Sequence, residues 1–60
     1  MAEETHVIRA GGQPVYEIVV SDDRLLVTIR EAENHEHKID LISSVIPTLI
    51  DMLRGLKDLN

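Results

Sequence analysis

Apolar residues alternate with polar ones from Val15 to Ile42 and recur every three or four positions from Val45 to Leu59. The chain therefore reads as a series of strands followed by one helix. Val15–Val20 and Leu25–Arg30 are β-branched runs joined by Ser21-Asp22-Asp23-Arg24, which predicts a hairpin. With Asp22 and Asp23 as a two-residue turn, Val20 opposes Leu25, Ile18 opposes Val27 and Tyr16 opposes Ile29, all on one face. The other face pairs Val19 with Leu26, Glu17 with Thr28 and Val15 with Arg30, the mixed character of an outward surface. Asp-Asp is a poor primed turn, and a longer loop also fits these runs.

On either side the signals are shorter. Thr5–Ala10 has strand character in Val7 and Ile8 and would lie at a sheet edge, and Ala10-Gly11-Gly12-Gln13-Pro14 breaks the pattern as a loop. Glu31–Glu36 is polar and turn-like, with Asn34 suited to a left-handed position. His37–Ile42 then resumes the alternation, setting Ile39 opposite Ile29 and Leu41 opposite Val27.

The helical segment follows, with Ser43 or Ser44 as its cap and Pro47 in the first turn, where a missing N–H costs nothing. Gly55 either ends the helix as a C-cap or lies on its solvent side while the helix runs on to Leu59. At about 100° per residue, Val45, Ile46, Leu49, Ile50, Met52, Leu53, Leu56 and Leu59 cover an arc of roughly 180°. A single core-facing stripe needs little more than about 100°. Ile46, Leu49, Ile50 and Leu53 are assigned to the subunit core, with Tyr16, Ile18, Val20, Leu25, Val27, Ile29, Ile39 and Leu41 from the strands. Val45, Met52, Leu56 and Leu59 remain for an intersubunit surface, with Thr48 and Asp58 on the polar side.

The expected fold is thus α+β, in a single domain over 1–60. A frayed acidic start over 1–4 precedes a three- or four-stranded antiparallel meander over 5–42, and one C-terminal helix over 43–59 packs on the sheet. Sixty residues bury only about 60% of the surface that the unfolded chain exposes. Cysteine is absent and Tyr16 is the one aromatic residue, so neither disulfides nor large rings supplement the core. Association as a homodimer or higher homo-oligomer is the expected remedy. Eleven acidic against six basic residues give a net charge of −5, which argues against an anionic membrane or a phosphate backbone as partner. With no signal-like or membrane-length apolar run, the chain reads as a soluble cytoplasmic protein with its initiator methionine in place.

Candidate chemistry is sparse. His35-x-His37 sets two imidazoles on one side of an extended segment, within possible reach of Glu31, Glu33 and His6, which raises the question of a Zn²⁺ or Ni²⁺ site. No third ligand stands at tetrahedral spacing, and the pattern reads more simply as solvated residues, with His37 and Glu31 as a cross-strand pair. Asp22-Asp23 reads as turn chemistry, Asp51 and Arg54 as a helix surface pair, and Ser43-Ser44 lacks the glycines of a nucleophile elbow. No catalytic residue, cofactor-binding residue or metal ligand is assigned, and no enzymatic activity is expected.

Arg9, Arg24, Arg30 and Lys38 could form a basic outer sheet face. A four-stranded meander followed by a C-terminal helix resembles, in element order, the single-stranded-DNA-binding transcriptional coactivator family, which dimerises through that helix. That family's binding face is rich in lysines and aromatics, whereas here it would carry Val15, Glu17, Val19, Leu26, Thr28 and Arg30. Base stacking needs aromatic platforms that this face lacks. The acidic surface also allows mimicry of a nucleic-acid backbone, although surface charge for solubility is the simpler account. The expected function is a non-enzymatic protein-interaction or regulatory module with a protein partner. A nucleic-acid-binding transcriptional regulator using the outer sheet face is the alternative.

Overall fold

The computed structural model describes residues 2–58. Four strands, β1 (Glu4–Ala10), β2 (Gln13–Val20), β3 (Leu26–Glu31) and β4 (Lys38–Ile42), precede a 3-10 turn (Ser43–Val45) and helix α1 (Ile46–Asp58). The strands form one open antiparallel sheet in the order β1-β2-β3-β4. This is the expected α+β meander with a C-terminal helix, and four strands is the count.

The glycine-rich segment is tighter than a loop. Gly11 and Gly12 have φ of 62° and 79° between the paired residues Ala10 and Gln13, the signature of a two-residue type I′ hairpin turn. Pro14 follows inside β2. Ile8 opposes Tyr16 while Arg9 opposes Pro14, leaving Val15 as the extra residue of a bulge, a position where proline is tolerated in a sheet.

The β2–β3 register lies two residues from the one a two-residue turn predicts: Ile18 opposes Ile29 and Val20 opposes Val27. Turn chemistry explains the shift. Ser21 Oγ donates to Asp23 Oδ1 at 2.7 Å, which also accepts the Leu25 N–H at 3.0 Å, and the Leu26 N–H donates to Ser21 Oγ at 3.1 Å. Arg24 completes the turn in the left-handed region at φ 66°. These bonds hold a wider loop and leave Leu25 outside the strand and 62% exposed. An even shift keeps each side chain on its face, so the apolar set survives it except for Leu25. Between β3 and β4 the predicted register holds, with Ile29 opposite Ile39 and Val27 opposite Leu41. Asn34 shapes that loop, accepting the Glu36 N–H through Oδ1 at 3.1 Å and the His37 N–H through its carbonyl at 3.0 Å.

The expected serine cap is replaced by the 3-10 turn, which is entered from Ile42 with no side-chain cap bond and passes the Ile46 N–H to the Ser43 carbonyl. Pro47 lies in the first turn of α1, and Gly55 lies inside the helix, which continues to Asp58.

The assigned core is not a closed core. No described side chain is buried, and Tyr16 and Ile50 (44% each), Leu53 (54%) and Ile39 (56%) are exposed. The chain's accessible surface is 4984 Å², against about 4,000 Å² for a compact monomer of its mass. Its radius of gyration is 12.8 Å, where about 10 Å is typical of 60 compact residues. One helix reaches too little of a four-stranded sheet to cover it.

Two glycine substitutions should move stability in opposite directions. Gly12→Ala forces a side chain into a positive-φ position and should cost about 1–2 kcal/mol. Gly55→Ala adds a methyl to a helix interior where nothing lies within 4 Å and should add about 0.8–1 kcal/mol. Urea melts of the two variants beside the parent check both signs.

Candidate interaction surface

The registers sort the sheet into two faces. Ile8 on β1, Tyr16, Ile18 and Val20 on β2, Val27 and Ile29 on β3, and Ile39 and Leu41 on β4 share one face, here called the inner face. Glu4, His6 and Glu31 fall on the same face at its margins. The opposite, outer face carries Thr5 and Val7, Glu17 and Val19, Leu26, Thr28 and Arg30, and Lys38, Asp40 and Ile42, with Leu26 and Ile42 exposed.

Helix α1 adjoins the inner face at one place, a groove lined by Leu41, Ser44, Val45, Thr48, Leu49 and Met52. Thr48 therefore stands beside apolar groups and not on a purely polar side. Of the residues assigned to an intersubunit surface, Val45 is 44%, Met52 64% and Leu56 60% exposed, and Leu59 lies outside the described residues. Ile50 and Leu53, assigned to the core, prove as exposed as these and join the same apolar patch. The width of the apolar arc was the signal for them. Dividing that arc between core and interface required the position of the helix.

The outer face is held by polar pairs. Arg30 donates to Glu17 Oε1 through Nε at 2.8 Å and lies within 2.7 Å of it through Nη2, with both side chains largely covered. His35 Nε2 stands 3.1 Å from the same oxygen. Thr28 Oγ1 donates to Asp40 Oδ1 at 2.6 Å across β3 and β4. His37 instead lies 3.0 Å from Glu31 Oε2. Because Glu17 and Glu31 lie on opposite faces, the structure separates the two histidines that the sequence placed together. Among the described residues no three His, Cys, Asp or Glu side chains are arranged to hold a metal ion. His6 contacts Glu4 at 3.3 Å, away from both.

Two further depressions are open to solvent, one lined by Pro14, Tyr16, Glu31 and Glu33 among others, the other by Glu3, Ser21, Asp22 and Asp23. Asp23 is held below the usual carboxylate range by the Leu25 N–H and the Ser21 hydroxyl, which is the turn role expected for it. No helix among the described residues is long and apolar enough to cross a membrane. No family model, curated protein or solved structure matches this chain.

Glu4 titrates at about 2, chiefly because the Arg24 guanidinium donates to it and secondarily because of His6. Its folded value lies below the ordinary 4.5, so whatever this contact contributes is present above that pH and is lost as pH falls toward 2. Arg24→Ala should return the Glu4 midpoint most of the way to the ordinary value, as read by NMR titration of its side-chain carboxyl. Stability near neutral pH should change little, since exposed pairs contribute little.

Proposed function

We propose that the protein is a small non-enzymatic interaction or regulatory module, acting on a protein partner as a homo-oligomer assembled through its C-terminal helix. One observation carries this reading: with a surface of 4984 Å², the chain exposes about 1,000 Å² more than a compact monomer of its mass. A standard interface buries about 800 Å² per partner. The excess is thus of the size that one closed two-fold contact removes, and its richest part is the apolar flank of α1.

The chemistry supports a binding role over a catalytic one. General acid–base work relies on a carboxylate or imidazole whose surroundings tune it. Here Glu4, Glu17 and Glu31 are each engaged by Arg or His, and no described side chain is buried. The outer face also favours protein over nucleic acid as partner. Arg30 is neutralised by Glu17, Lys38 has Asp40 two residues along its own strand, and no aromatic side chain stands on that face to stack a base.

Sedimentation equilibrium over a hundredfold range of concentration tests the assembly. The expected result is a dimer or larger species, with a melting temperature that rises with concentration. Leu56→Glu removes about 1.5–3 kcal/mol of apolar burial per subunit and should dissociate and destabilise the protein, whereas Asp51→Asn should do neither. A compact, stable monomer at every concentration would refute the reading.

Fluorescence anisotropy with labelled single- and double-stranded oligonucleotides separates the two classes of partner. At about 0.15 M salt no saturable binding should appear below ~10 μM. Tight, salt-dependent binding would favour the regulator on the outer face.

A further inference from the structure

We infer that the assembly exchanges helices: the distal half of α1 from each protomer lies across the inner sheet face of the other, over β1 to β3. This rests on the homo-oligomer reading above and specifies what each helix meets.

Within one chain, α1 touches the sheet at the Leu41 groove and then leaves it, so that Leu53 and Leu56 are more than half exposed. The inner face meanwhile keeps Ile8 and Tyr16 exposed at its far side. Apart from Leu25 in the β2–β3 turn and Val7, Leu26 and Ile42 on the outer face, the exposed apolar area of each protomer thus lies on two surfaces, one a ridge and one a sheet. A helix-to-helix contact would leave both sheets wet, and a sheet-to-sheet contact would leave both helices wet. One two-fold contact that sets helix on sheet covers both ridges and both inner faces at once.

Dimensions agree with this. The distal half of the 13-residue α1 spans about 10 Å, and β1 to β3 at about 4.8 Å spacing are about 10 Å across between outer axes. Flexible Leu and Met side chains on the helix would meet the β-branched floor of Ile18, Val27 and Ile29.

Because the chain has no cysteine, disulfide trapping reports the contact directly. Two double variants, Tyr16→Cys with Leu56→Cys and Ile8→Cys with Leu53→Cys, are oxidised under native conditions beside the four single variants. Sedimentation of each variant before oxidation shows whether it still assembles. The expected result is a shift from one-chain to two-chain mass on a denaturing gel in at least one double variant, with the matching single variants staying at one-chain mass. Three outcomes would overturn helix exchange while leaving a homo-oligomer in place: full cross-linking of Leu56→Cys or Leu53→Cys alone, an intrachain disulfide at one-chain mass, or no disulfide in either assembled pair. A parent protein that sediments as a monomer at all concentrations would remove the homo-oligomer reading as well.

Discussion

Burial of the inner sheet face is the interaction on which this structure depends. Ile18, Val20, Val27 and Ile29 line it by a period-two alternation that both central strands share, and apolar area removed from water is the main favourable contribution to folding. With no disulfide and no aromatic residue beyond Tyr16, that contribution comes from aliphatic side chains alone. A single 13-residue helix that touches the sheet at one end leaves Ile8, Tyr16 and Ile39 exposed and the rest of the face's apolar residues only half-buried. The consequence is a molecule whose architecture is complete at the level of strands and turns and incomplete at the level of packing.

Polar interactions decide details that burial does not. The Ser21–Asp23 hydrogen bonds set the width of the β2–β3 turn, and Gly11-Gly12 sets that of β1–β2. On the outer face, Glu17 with Arg30 and Thr28 with Asp40 link neighbouring strands directly across the ladder. Such exposed or half-covered pairs contribute little net stability. Their effect is on register, because each brings together two residues that a slipped strand would separate.

The same division explains the charge pattern. Glu4, Glu17 and Glu31 each hold a cation or an imidazole, so the acidic excess is partly absorbed into local pairs and does not form one field. Histidines two positions apart in sequence end on opposite faces because the β3–β4 loop folds around Asn34 and sends His35 to Glu17 and His37 to Glu31. A spacing argument that assumes an extended strand fails in such a turn.

Element order, the two faces of the sheet, the Ile29–Ile39 and Val27–Leu41 pairs and the excess apolar arc of the helix were all legible in the sequence. Periodicity is a local property, and a two-residue slip does not change which side chains share a face. The wider β2–β3 turn was not legible, because it depends on side-chain bonds from Ser21 and Asp23 that compete with a two-residue turn of similar composition. Nor was the path of α1. Whether Ile50 and Leu53 lie in a core or on a surface depends on the angle at which the 3-10 turn Ser43–Val45 launches the helix from β4, and the apolar pattern of the helix is the same for either angle. Only the tertiary structure decides that angle, and with it how much of each apolar surface one chain leaves uncovered.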